Sequence, residues 1–162
     1  MQPLTESDIR NSLVNATASD SARMGLPGLH EVLWDEREYL GWRDPRTPQR
    51  AYIVLWRDGE AVGLVLRAAD NRMKAGNAMC SLCQTPRPSG QVALFSAPRA
   101  GEAGRDGNTV GTYICSDLAC SLTIRIVPPA YDMQPDPAVI VERRIATLQT
   151  RLGAFTDTVL AG

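Results

Sequence analysis

Two short runs carry the densest apolar patterning in the chain. Residues 51–57 read AYIVLWR and residues 61–68 read AVGLVLRA. Asp58-Gly59 falls among the residues between them, and both types tolerate left-handed backbone, so the pattern predicts a β-hairpin. A longer period appears near the C-terminus, where Val141, Ile145, Leu148, Leu152, Phe155 and Val159 recur at steps of four and three. Asp136-Pro137 supplies an N-cap and a first-turn proline, so a helix is expected over 137–160 with its stripe turned to the core. At the other end, Thr5 is an N-cap candidate and Ile9, Leu13 and Ala16 follow at helical spacing. This predicts one N-terminal helix within residues 1–25, stopped by Gly25 and Pro27.

Residues 26–50 mix Pro, Gly and aromatics and read as an irregular segment anchored by Trp34, Tyr39, Leu40 and Trp42. A linker at 69–79 leads to a second expected pair of strands, at 91–97 and 108–115. Between these strands, residues 98–107 are rich in Gly and charge, which predicts a solvated, mobile loop. Residues 121–127, SLTIRIV, fit either helix or strand. The whole, residues 1–162, reads as a single α+β domain with a β-rich core over 26–130.

Composition narrows the function classes. The 162 residues are 44% hydrophobic and 22% charged, with a net charge of -1, so no global field attracts a phosphate backbone. No run is long and apolar enough to span a membrane. The N-terminus lacks a basic region followed by an apolar core. A cytoplasmic protein with reduced thiols is therefore expected.

That expectation gives weight to the four cysteines. Cys80 and Cys83 form a C-x2-C pair, and Cys115 and Cys120 form a C-x4-C pair after 31 intervening residues. A C-x2-C turn brings two sulfurs to one side of a metal, and a hairpin between the pairs returns the other two. The pattern points to a structural Zn2+ site whose four protein ligands close the shell. A thioredoxin-like redox pair or an iron–sulfur cluster is the remaining alternative, although the former leaves Cys115 and Cys120 idle.

Nothing else assembles chemistry. His30, the single histidine, reads as a packed or surface residue before a general base. A nucleophile elbow, a phosphate loop and a dinucleotide fingerprint are all missing from the sequence. No enzyme and no small-molecule substrate are expected.

Residues 26–69 (LPGLHEVLWDEREYLGWRDPRTPQRAYIVLWRDGEAVGLVLRAA), then MCSLC, then NTVGTYICSDLACSLTIR give the chain its family likeness. Together they resemble the C-terminal treble-clef zinc finger of elongation-factor-G-binding proteins, the FusB-type fusidic-acid resistance proteins. The resemblance implies a small antiparallel sheet with a treble-clef-like zinc site at Cys80, Cys83, Cys115 and Cys120, flanked by an N-terminal helix and a long C-terminal one. It also implies binding to elongation factor G and promotion of its release from the ribosome. FusB-type proteins carry an additional N-terminal helical domain, which residues 1–25 do not match, so factor binding is the firmer expectation than antibiotic protection. Arg87, Arg99, Arg105, Tyr113 and Arg125 are the candidate contact residues, each read more readily as solvated surface than as a contact. The competing class is a zinc-stabilised RNA- or DNA-binding protein, in which Arg72, Lys74, Arg87 and Arg125 would form a basic strip.

Overall fold

A computed structural model describes residues 1–69, 76–127 and 129–162. Part of the linker read at 69–79, including Arg72 and Lys74, lies outside the described residues.

The expected hairpin forms from β2 (Arg50–Arg57) and β3 (Glu60–Ala68), with Arg57 opposite Glu60. Asp58 and Gly59 both take positive φ, 50° and 84°, as a turn matched to right-handed strand twist requires. The second expected pair is also present, as β6 (Val92–Pro98) and β7 (Thr109–Cys115). With β1 (Leu40–Arg43) these strands make a five-stranded antiparallel sheet in the order β1-β2-β3-β6-β7. The strand β1 falls inside the segment read as irregular. Its four residues are too few for periodicity to register, and it is fixed by tertiary packing: Trp42 stacks on Tyr52 at 4.9 Å and donates its indole N–H to the Gly25 carbonyl.

Strand β2 is buried on both faces, so its sequence is nearly continuous in apolar residues. Ala51, Ile53 and Leu55 face a large core with Phe95, Ile114, the four cysteines and the C-terminal helix. Tyr52 and Val54 face a smaller core with Leu4, Ile9, Met24, Leu40 and Trp42. The C-terminal helix, labelled α5 below, covers Pro137–Leu160, and the Asp136 carboxylate accepts from the Ala138 amide at 2.8 Å. Leu148, Leu152, Phe155 and Val159 of its stripe are buried, at about 1.5–3 kcal/mol each. Its first turns are largely exposed.

The N-terminal segment differs from the single helix expected. It forms α1 (Glu6–Asn11) and α2 (Ala18–Arg23), each opened by its own capping box, at Thr5 with Asp8 and at Thr17 with Asp20. Between them the chain extends along the part of β3 that β6 leaves unpaired. The Val14 amide donates to the Gly63 carbonyl and the Gly63 amide to the Ser12 carbonyl, both at 2.9 Å. The Asn15 side chain then acts as a strand residue, accepting from the Val65 amide and donating to the Val65 and Pro98 carbonyls. Ladder pairing of this kind outweighs helix propensity in residues 12–15.

That contact leaves no room for a side chain at Gly63. A Cβ there would fall against Ser12 Oγ and lie 2.9 Å from Leu13 Cδ2. Gly63→Ala is expected to destabilise the fold by about 1–3 kcal/mol, lowering Tm by roughly 2–10 °C. Gly153→Ala, where no atom lies within 4 Å inside α5, should raise stability by about 0.5–1 kcal/mol. Thermal denaturation of both variants checks the pair; equal behaviour would refute the close approach at Gly63.

Residues 98–107 are not an extended loop. They contain a short helix, α3 (Gly101–Arg105), and lie against the end of α5, where the Ala100 amide donates to the Val159 carbonyl at 2.8 Å. Arg99 donates to the carbonyls of Thr158 and Ala161 there, satisfying helix-terminal acceptors that would otherwise lack partners. A hairpin of β4 (Asn77–Met79) and β5 (Pro86–Pro88), carrying the first cysteine pair, escapes the sequence pattern because three-residue strands show no period. Of residues 121–127, ambiguous in sequence, the first four are helical and belong to α4 (Cys120–Ile124).

Candidate metal centre

The first cysteine pair sits in the turn joining β4 to β5. The Gln84 amide donates to the Cys80 carbonyl at 3.0 Å, and Gln84 takes φ 54°. This closes the turn tightly enough that the Cys83 amide approaches Cys80 Sγ at 3.5 Å. The second pair uses the end of β7 and the start of α4. Leu118, at φ 56°, donates its amide to the Cys115 carbonyl at 2.8 Å, and Asp117 accepts from the Ala119 amide. The Ser81 amide donates to the Tyr113 carbonyl at 2.7 Å, locking one turn beside the other.

All four thiols are buried, and their sulfurs lie within 4.8 Å of one another. Cys80 Sγ is 3.6 Å from Cys120 Sγ, and Cys83 Sγ is 3.7 Å from Cys115 Sγ. These separations are far too long for disulfides. A tetrahedron with zinc–sulfur bonds of about 2.3 Å has edges of about 3.8 Å. The donor set and its spacing therefore fit Zn2+.

The protons tell the same story. Hydrogen bonds from Cys115 and Cys120 pull Cys83 far down and Cys80 down to about 7, while Cys115, Cys80 and Cys83 together drive Cys120 up. Four buried thiols cannot all ionise side by side, and a divalent cation removes that conflict.

The surroundings supply donors suited to an anionic sulfur cage. Tyr39 is 1% exposed, and its hydroxyl finds no oxygen or nitrogen partner among the described residues. Burial, and then the Cys120 thiol beside it, push its pKa well up. An O–H in this position serves a thiolate better than a neutral thiol, which is the outer-shell role expected around a metal. Arg87, raised above its ordinary value chiefly by the Cys115 thiol, is a second donor beside the cage. With zinc bound, Cys80, Cys83, Cys115 and Cys120 would fill every tetrahedral position, and the ion would staple the β4–β5 turn to the β7–α4 turn.

The candidate contact residues have different fates. Arg87 bonds Gln91 and Thr123 and lies 3.6 Å from Asp117. Arg125 makes a two-pronged pair with Glu38, at 2.7 and 3.0 Å. Arg99 caps α5 as described above. Arg105 and Tyr113 remain at the surface, Tyr113 being 41% exposed. His30 is exposed beside Glu31. Tyr39 was legible only as a packing aromatic, since no spacing rule ties it to cysteines that lie far along the chain.

Comparison with known proteins agrees with this site. Residues 8–159 match the family described as FBP C-terminal treble-clef zinc-finger. No curated protein matches the chain. Among solved structures, one described as the fusidic acid resistance protein FusC is similar at 24% identity and a TM-score of 0.47. That similarity covers 61% of this chain and 43% of that one. The chain thus spans less than half the length of that protein. A match over nearly the full sequence, together with a tetrathiolate cage built by the two turns, places the chain in the FBP C-terminal treble-clef zinc-finger family.

Proposed function

We propose that the chain is a non-catalytic, zinc-stapled protein-binding module whose partner is elongation factor G, acting in the cytoplasm. The observation that carries this reading is the closed four-sulfur cage within a chain that matches the family over residues 8–159. With four protein ligands the metal keeps no open position for water or substrate, so its contribution is rigidity. Among the described residues no helix is long and apolar enough to cross a membrane. Binding would act on the factor's release from the ribosome by preferring one of its conformations, since a ligand shifts an equilibrium only through differential affinity.

The nucleic-acid alternative loses support from the described residues. Of its four basic positions, Arg125 is neutralised by Glu38, while Arg87 faces Asp117 and the cysteine cage.

Titration of the zinc-loaded chain with purified elongation factor G at two salt concentrations tests the reading. A stoichiometric complex is expected, with affinity changing less than tenfold between about 50 and 200 mM salt, because few phosphate contacts are involved. Failure to form a complex would overturn the proposal. Binding of an RNA duplex that weakens by about a thousandfold over the same range would put a nucleic-acid function in its place.

A further inference from the structure

The two edges of the sheet are treated differently. At the β1 edge, Leu118 packs so close to Gly41 that a Cβ on that glycine would lie 2.9 Å from the Leu118 carbonyl. Arg43 also reaches the Ser116 carbonyl at 2.6 Å. The second cysteine turn thus packs against Gly41 and Arg43 of that edge strand.

Among the described residues, nothing pairs with the outer edge of β7 over residues 109–112. In an antiparallel pair, residues facing the partner strand alternate with residues facing away. The Arg99 amide donates to the Asn108 carbonyl, and the Ser116 amide to the Gln91 carbonyl, which fixes the phase of the β6–β7 ladder. Val110, Thr112 and Ile114 therefore bond toward β6, and Thr109, Gly111 and Tyr113 turn their backbone groups outward. The Ser81 amide on the Tyr113 carbonyl confirms the outward direction. The amides and carbonyls of Thr109 and Gly111, and the Tyr113 amide, have no partner among the described residues. Thr109, Gly111 and Tyr113 are exposed.

Sheet edges left open in this way are normally guarded by charge, proline or a bulge. The stretch TVGTY has none of these. Beside it lie the exposed side chains of Tyr113 and, two residues before Ser81, Met79, which is 53% exposed. Pairing with a second copy fits poorly. A two-fold axis at Gly111 would need the Tyr113 carbonyl to accept from the Thr109 amide of the second copy, and that carbonyl is already engaged by Ser81.

We infer that the β7 edge, residues 109–113, receives an extended, uncharged segment of the partner protein as a sixth strand, with an apolar side chain set against Tyr113 and Met79. This rests on the proposed function for the identity of the partner. Main-chain hydrogen bonds supply the affinity in such strand addition, and the flanking side chains supply the selectivity.

Residue-resolved hydrogen exchange on the zinc-loaded chain, alone and with purified elongation factor G, tests the inference. The amides of Thr109, Gly111 and Tyr113 are expected to slow by at least about tenfold in the complex, while those of Val110, Thr112 and Ile114 keep the protection β6 gives them. Gly111→Pro removes an outward N–H without touching the ladder to β6. It should retain zinc and Tm while weakening binding by about tenfold or more. Thr109→Pro does the same at the first residue of the strand and stands in if the glycine variant misfolds. A complex that leaves these amides unchanged, or forms equally well with both variants, overturns the edge and leaves the functional reading standing. No complex at all overturns both. Protection that grows with concentration in the chain alone assigns the edge to a second copy and overturns the inference.

Discussion

Cys115→Ser is expected to lose its zinc and with it most of the cooperative fold. Cys115 is fully buried, and its sulfur lies 3.7 Å from Cys83 Sγ, across the gap between the two turns. A serine hydroxyl is a poor zinc ligand, and three sulfurs would leave an open, solvated shell around an ion that needs a closed one. Structural zinc contributes on the order of 10 kcal/mol to small domains at neutral pH. The whole net stability of a domain is about 5–15 kcal/mol. Losing the ion therefore removes most of what holds the native state. In a domain of this size the loss corresponds to a Tm fall of roughly 20 °C or more, or to the disappearance of a sharp transition. Elemental analysis and differential scanning calorimetry read both effects. Chelation of the unaltered chain should reproduce the melting change, and added zinc should reverse it. Ser81→Ala is the control, since Ser81 enters the site through its backbone and should keep one ion per chain. A Cys115→Ser sample with full zinc content and an unchanged melting curve would remove Cys115 from the ligand set and undermine the assignment of the cage.

The parts of this molecule visible in the sequence are those governed by local rules. The β2–β3 hairpin was legible because Asp58-Gly59 fits a turn needing positive φ at both positions. The long helix was legible because Asp136-Pro137 caps a stripe that persists for several turns. The cysteines were legible because metal-ligand spacing is chemistry written along the chain. What stayed hidden depends on contacts between distant residues. The break between α1 and α2 follows from Gly63 and Val65 offering an unpaired strand edge to residues 12–15, some fifty positions away. The ordering of residues 98–107 follows from the open carbonyls at the end of α5, which Arg99 satisfies. Tyr39 gains its place beside Cys120 only once β1 and the second cysteine turn are brought together. The same limit applies to surface arginines: sequence assigns their charge, and the fold decides which of them it uses internally.

Arg125 shows how much that distinction matters, and replacing it should have the second-largest effect. Its guanidinium grips both oxygens of Glu38, whose side chain is 4% exposed, and also donates to the Ser121 carbonyl. The pairing with Glu38 is the main cause of its raised pKa. The Glu38 amide in turn donates to Ser121 Oγ at 3.0 Å. These bonds fasten the segment leading into Tyr39 onto α4, whose first residue, Cys120, belongs to the four-sulfur cage. Arg125→Ala would leave a buried carboxylate without its cation, at a cost of about 3–5 kcal/mol. That corresponds to a Tm lower by roughly 6–20 °C in a domain of this size. Arg125→Lys should recover only part of the loss, because an ammonium cannot match both carboxylate oxygens in one plane. Removing both charges with Glu38→Gln and Arg125→Met should be milder than Arg125→Ala alone, since no unpaired charge remains. If Arg125→Ala instead keeps the parent Tm and weakens only partner binding, the arginine is a contact residue and the Glu38 pair is incidental.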